Sequence, residues 1–319
     1  MLLLTVTGMA SAQSGALAGS GYRIPTPRVV AAPGQLLMFS VTGIPVRLAG
    51  PARAAPGPDG YPARLEGFEI RLAAGEQSLA APFVAVQQTG CAAPCSPVTS
   101  FTILVPRDIV PQRWFDSRYE LEVFDNAALA VRVPLRPVAD NVHLLNSCDQ
   151  ALIHMSIFDG VGNAADCLPA LLQDNRLVNT ENPVRPGSAL GAYLFGLGDM
   201  RMAEGANYEA TVQEFTVHFD YRPNAPASRP TPGYSLTTKP FFSAGYPGGL
   251  YQMNFFVPPV PDDARTPACD GVAIRSNLTI TIAGPSSMDS AAFCINVSRP
   301  QANAGAPLPG SSTVGRPLQ

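Results

Sequence analysis

Six cysteines, at positions 91, 95, 148, 167, 269 and 294, are the side chains whose spacing most directly implies chemistry. They fall into three sequential pairs, and an even number with none left over suits oxidation to disulfides in an exported protein. Proximity in sequence favours Cys91–Cys95, Cys148–Cys167 and Cys269–Cys294. The rival chemistry is a metal site or a set of reduced core thiols. Cys91 and Cys95 have loose ligand spacing, but Ala92-Ala93-Pro94 between them is not a zinc knuckle and no histidine lies nearby. Disulfides are therefore expected, and no metal.

Acid–base and nucleophilic chemistry find less support. His143, His154 and His218 are far apart and form no His-x-x-x-His pair; His218 falls on the polar side of an alternating run, where a hydrogen-bonded or solvated ring is the ordinary outcome. Ser188 has Gly187 before it but Leu190-Gly191 after it, the wrong spacing for a nucleophile elbow. Glu120/Glu122 and Glu66/Glu69 read as solvated strand faces, and nothing marks a carboxylate pair facing across a cleft as glycoside hydrolysis requires. Asp262, Asp263 and Asp270 gather in one stretch that offers a candidate calcium loop, yet the alternating spacing of an EF-hand is missing. Trp114, Phe115, Tyr234 and Tyr246 are loop aromatics that either stack on sugars or plug the ends of a sandwich. Lys239, the single lysine, follows Thr238, so a phosphate-binding loop is excluded, and Gly196-Leu197-Gly198 lacks the third glycine of a dinucleotide site. No catalytic residue, cofactor or metal ligand is assigned.

The elements that must position these residues are strands. Charged residues make up only 14% of the chain and the net charge is −3, which argues against an electrostatic nucleic-acid binder. No apolar run reaches the length of a membrane-spanning helix. With 28 glycines and 33 prolines, the sequence is punctuated throughout by turn formers. Between them apolar residues alternate with polar ones: Phe68, Ile70 and Leu72; Phe101, Ile103 and Val105; Leu121 and Val123; Leu129, Val131 and Val133. The second half repeats this with Phe215, Val217 and Phe219, with Tyr251, Met253 and Phe255, and with Leu278, Ile280 and Ile282. Period-two alternation over short segments predicts an all-β sandwich protein.

A weak internal repeat divides the chain. Pro33-Gly34 and Pro186-Gly187 each open a strand; each half later carries a strand ending in Val-Pro, at Val105-Pro106 and Val257-Pro258, and closes with two more strands. Two copies of one antiparallel sandwich are expected, at 27–137 and 184–298, joined by a disulfide-clipped linker at 138–183. Residues 1–12, apolar and ending in Ala10-Ser11-Ala12, resemble the remnant of a secretory signal. The Pro-, Gly-, Ala- and Ser-rich tail at 299–319 is expected to be disordered.

Three stretches carry a family resemblance: Leu177-Val178-Asn179-Thr180-Glu181-Asn182-Pro183-Val184-Arg185-Pro186-Gly187, Phe195-Gly196-Leu197-Gly198, and Gly249-Leu250-Tyr251-Gln252-Met253-Asn254-Phe255-Phe256-Val257-Pro258. Their order and spacing resemble the Solibacter-type C-terminal β-sandwich family of exported acidobacterial proteins. Asn146-Ser147-Cys148-Asp149 and the Pro-Gly-Gln opening at 33–35 are similar to the module that precedes it there. The resemblance implies tandem Ig-like sandwiches, export to the cell surface or beyond, and no established activity. Asp174-Asn175 stands where that pattern has Asp-Gly. The expectation is a non-catalytic binding or adhesion module, or a structural spacer, whose partner is a protein or a glycan; the alternative is a secreted hydrolase directed at carbohydrate or peptide.

Overall fold

The computed structural model describes residues 17–18, 29–58, 60–90, 95–109, 119–151, 156–159, 167–179, 181–229, 235–246, 248–262, 264 and 266–295. The expected signal remnant, the tail at 299–319, Cys91, His154, Trp114, Phe115, Tyr234 and Asp263 lie outside these residues. Among the described residues the protein is all-β, with strands and two short 3-10 turns at Ser147–Ala151 and Ser156–Phe158.

In the first half the strands are β1 (Leu17–Ala18), β2 (Val29–Ala31), β3 (Leu36–Thr42), β4 (Ala52–Arg53), β5 (Arg64–Leu65) and β6 (Phe68–Ala74). There follow β7 (Gln77–Ala80), β8 (Phe83–Thr89), β9 (Val98–Leu104), β10 (Tyr119–Asp125) and β11 (Ala128–Pro137). One sheet has the order β1-β3-β9-β8-β4 and the facing sheet β2-β11-β10-β6-β5, with β7 beside β6. Alternation sends Phe39, Phe83 and Phe101 inward from one sheet and Phe68, Ile70, Leu121 and Val123 inward from the other. Phe101 is the centre of this core: its ring lies 5.2 Å from Phe68, 5.5 Å from Phe39 and 6.2 Å from Phe83. The antiparallel expectation needs one correction, because β2 runs parallel to β11. Strands so distant in sequence need no hairpin between them, and Gly34, at φ 69°, instead turns the chain from β2 in one sheet to β3 in the other. Leu129, expected inward, is 44% exposed, because a bulge between Val123 and Phe124 shifts the register at the hairpin end.

The second half contains β12 (His143–Leu144), β13 (Leu171–Gln173), β14 (Arg176–Leu177), β15 (Ala189–Phe195), β16 (Met200–Met202) and β17 (Glu209–Thr211). It ends with β18 (Thr216–Asp220), β19 (Ser235–Thr238), β20 (Phe242–Tyr246), β21 (Leu250–Phe256), β22 (Leu278–Ala283) and β23 (Met288–Phe293). One sheet runs β14-β13-β15-β21-β20 with β12 also paired to β15; the other runs β19-β18-β22-β23; β16 and β17 form a separate hairpin. Phe215, Val217, Phe219, Tyr251, Met253, Phe255, Leu278 and Ile280 are all buried between these sheets, in the parity the alternation requires. The polar parity of β18 and β22 is buried too. His218, Asp220, Thr279 and Thr281 are covered because the chain after β18 folds back, with Thr279 Oγ1 donating to the Ala225 carbonyl at 2.7 Å.

The segment 138–183, expected as a linker, supplies β12, β13 and β14 to the second sheet system. Its strands are too short to show a period of two; β12 and β13 form by pairing with β15, and β14 by pairing with β13. Asp174 and Asn175, between β13 and β14, both take positive φ (53° and 60°), a conformation that Asp and Asn tolerate without glycine. Among the described residues no sheet mixes strands of 27–137 with strands of 184–298. Truncating Phe101 to alanine removes the ring on which three others pack. It is expected to cost about 3–5 kcal/mol in a denaturant-unfolding titration.

Candidate functional site

The halves meet along the chain from Val138 to Asp149, and its backbone lies where side chains of ordinary size do not fit. Gly196 and Gly198 follow β15 at φ 74° and 82°; a Cβ on either would stand about 2 Å from the carbonyl oxygens of Asn141 and Ala139 respectively. The sequence motif Phe-Gly-Leu-Gly is thus a seat for this segment. Asn141 N donates to the Gly196 carbonyl at 2.7 Å, while its side-chain Nδ2 reaches the first half, donating to Val30 O and Gln35 Oε1 at 3.1 Å each. Asp140 is fully buried, and its carboxylate accepts from Ser286 N, Ser287 N and Ser287 Oγ at 2.6–2.9 Å, closing the turn between β22 and β23. A small apolar cluster of Leu36, Leu145, Phe158, Ala170 and Phe195 packs across the same seam.

Beside it His143 is held between two carboxylates, donating through Nε2 to Asp149 at 2.8 Å and through Nδ1 to Asp289 at 3.2 Å. Burial by itself would lower its pKa, but the hydrogen bonds and charges of Asp149 and Asp289 outweigh it and push the imidazole up to about 9. The ring is therefore an imidazolium at neutral pH with both nitrogens engaged. It cannot also accept a proton from a substrate. Its work is to neutralise two carboxylates and to bind β12 to β23.

A cleft of about 350 Å³ opens at the junction, walled by Gly34, Leu104, Val105, Pro106 and Arg107 on one side and Glu209, Gly245, Gly248 and Gly249 on the other. Gly249 (φ 74°) permits the approach, since a Cβ there would come within 2.5 Å of the Gly34 carbonyl. Across the mouth Arg107 Nη1 donates to both Glu209 oxygens at 2.9 and 2.8 Å. Both side chains are partly exposed, so the pair positions the wall more than it stabilises the fold.

Of the cysteine pairs, Cys148–Cys167 and Cys269–Cys294 are formed, with Cα atoms 5.3 and 6.0 Å apart. Cys95 is disulfide-bonded as well, its expected partner Cys91 lying outside the described residues. The other candidates are dispersed. His218 is buried with each ring nitrogen about 3 Å from a threonine hydroxyl, and burial, with Arg229, lowers its pKa. Glu120 and Glu122 share Arg132, while Glu69, expected as a solvated face, is buried against Arg71 and Arg64, which hold its carboxyl below the usual range. Asp270 accepts from the backbone N–H groups of Val272 and Ile274 in its own loop, both through Oδ1. Among the described residues no three His, Cys, Asp or Glu side chains are grouped to hold a metal. No family model and no curated protein matches this chain.

The sequence did not single out Asp140, Asn141, Asp289, Arg107 or Glu209. The one available signal was the motif Asn146-Ser147-Cys148-Asp149, whose Asp149 caps its own turn through Asn146 N before reaching His143.

Two outcomes follow for stability. His143 has a folded pKa above its unfolded value near 6.5, so its contribution is complete below about pH 6.5 and is lost as pH rises through about 9; this is of the order of 3 kcal/mol. His218, shifted down, acts oppositely, removing stability as pH falls below about 6.5. Urea titrations between pH 6.5 and 9.5 are expected to show a falling stability that H143Q flattens. Replacing Cys269 and Cys294 by serine opens a loop of 25 residues and is expected to cost about 3 kcal/mol in the same assay.

Proposed function

We propose that this chain is a non-catalytic exported protein, a binding or adhesion module made of two tandem Ig-like sandwiches set at a fixed angle. The observation that carries this reading is the junction. The Asn141 amide on Val30 and Gln35, the close approach of Gly249 to Gly34, and the apolar cluster of Leu36 with Leu145, Phe158 and Phe195 join the halves beside the cleft. A preformed concave surface loses little ordering entropy on binding, which favours recognition.

Among the described residues, the histidines and the Glu120/Glu122 pair are engaged in structural contacts. His143 is an imidazolium between carboxylates, His218 is bonded to threonines, and Glu120 and Glu122 are paired with Arg132. The disulfides Cys148–Cys167 and Cys269–Cys294 support an oxidising compartment, and no helix among the described residues is long and apolar enough to cross a membrane. The resemblance to the Solibacter-type family points the same way, towards the cell surface or the surrounding medium.

The test is to expose the oxidised full chain to arrays of glycans and peptides and to analyse the spent ligands by mass spectrometry. Retention of a defined ligand class without turnover is expected. Cleavage products from any arrayed ligand would replace this reading with the hydrolase, and an absence of all retention would leave only a spacer.

A further inference from the structure

We infer that the aromatic strip at the edge of the second half, formed by Phe241, Phe256, Phe242 and Tyr208, is a platform for a neutral polysaccharide; the inference rests on the binding-module reading and names its ligand. Phe241 and Phe256 are 54% and 55% exposed, with rings 4.7 Å apart and inclined by 30°. Phe242, next in sequence to Phe241, meets Tyr208 of the β16–β17 hairpin at 5.3 Å. Phe242 stands opposite Asn254 in the register and so lies on the same side of the sheet as Phe256, while Phe241 and Phe256 are the half-exposed pair.

Exposing two phenylalanines is unfavourable, and a binding surface accounts for it. The size of the patch selects the occupant. Two half-exposed phenylalanine rings offer on the order of 200 Å², whereas a stable protein partner covers roughly 800 Å² on each side. A patch that small matches the C–H face of one or two sugar rings.

The neighbouring chemistry fits the same ligand. Asn254 and Gln252 lie on the Phe256 face of β21, and Gln252 Nε2 donates to Asn254 Oδ1 at 3.0 Å, which fixes both amides. Opposite Asn254 in the register is Gly191 of β15, where a Cβ would stand only 3.1 Å from Asn254 Oδ1. Glycine there leaves room for the two amides to lie flat over β15. Ala189, Gly191, Tyr193, Gln252, Asn254 and Phe256 carry no charge, and Lys239, two residues before Phe241, is turned to Glu214 at 3.4 Å. Among these named residues of β15 and β21 a neutral chain of sugars meets no charge.

The experiment is affinity electrophoresis of the oxidised full chain in gels containing xylan, galactomannan, mixed-linkage β-glucan or dextran. Retardation by at least one of these is expected, and F241A/F256A is expected to weaken it by on the order of tenfold or more. The melting temperature of the double variant should stay at that of the parent, because both side chains are on the surface. No retardation in any gel, or equal retardation of parent and double variant, overturns the proposal. Retention of peptides on the arrays, insensitive to F241A/F256A, would remove the strip while leaving the binding module; silence on both gels and arrays would remove both.

Discussion

A carboxylate with no exposure to water sits at the centre of this structure. Asp140 survives burial because two backbone amides and a hydroxyl of the Ser286-Ser287 turn converge on it. A buried charge left without such partners would cost several kcal/mol, so the turn, the carboxylate and the chain between them must form together. From that anchor the rest is dictated. The next residue, Asn141, reaches back to Val30 and Gln35, and Gln35 in turn accepts from Ala32 N, which shapes the crossing from β2 to β3. Two residues further on, His143 carries the contact to Asp149 and Asp289. One short strip of chain ties the first sheet system, the second sheet system and the disulfide-bearing turn at Cys148 into a continuous network.

The same strip explains where glycine is needed. At Gly196 and Gly198 a methyl group would occupy the position of a carbonyl carbon or oxygen, and both residues also adopt a left-handed backbone. Gly284 answers the same demand from the other side, since a Cβ there would come within 2.4 Å of an Asp140 oxygen. Close backbone contact excludes water from the Asp140 cage, which strengthens its hydrogen bonds. It also fixes the strip from Ala139 to Asn141 against the second half.

Burial on both faces of β18 and β22 is a second consequence of packing. Sandwich strands commonly leave one face to solvent, but here the chain from Tyr221 to Arg229 returns across the outer face. His218 and Thr279 then need partners, and they find them in Thr216, Thr237 and the Ala225 carbonyl. Tyr221 marks the start of that return. Its hydroxyl donates to the Pro258 carbonyl at 2.6 Å, and burial raises its pKa to about 12.

The strand parity of Phe68, Phe101, Phe219, Met253 and Ile280 was legible in the sequence, because a period of two is a local property that one buried face imposes on each strand. So were two of the cysteine pairs, since short loops bring neighbouring cysteines together whatever the rest of the chain does. The exposed Phe256 was half legible: in the doublet Phe255-Phe256 a strand can bury only one ring. Tertiary structure alone decided that 138–183 would pair along β15 as strands, for its segments are too short to carry a period of their own. It alone also brought His143 to Asp289 across 146 positions and Arg107 to Glu209 across 102. Such meetings depend on how completed sheets pack against one another, and no local pattern of residues encodes that approach.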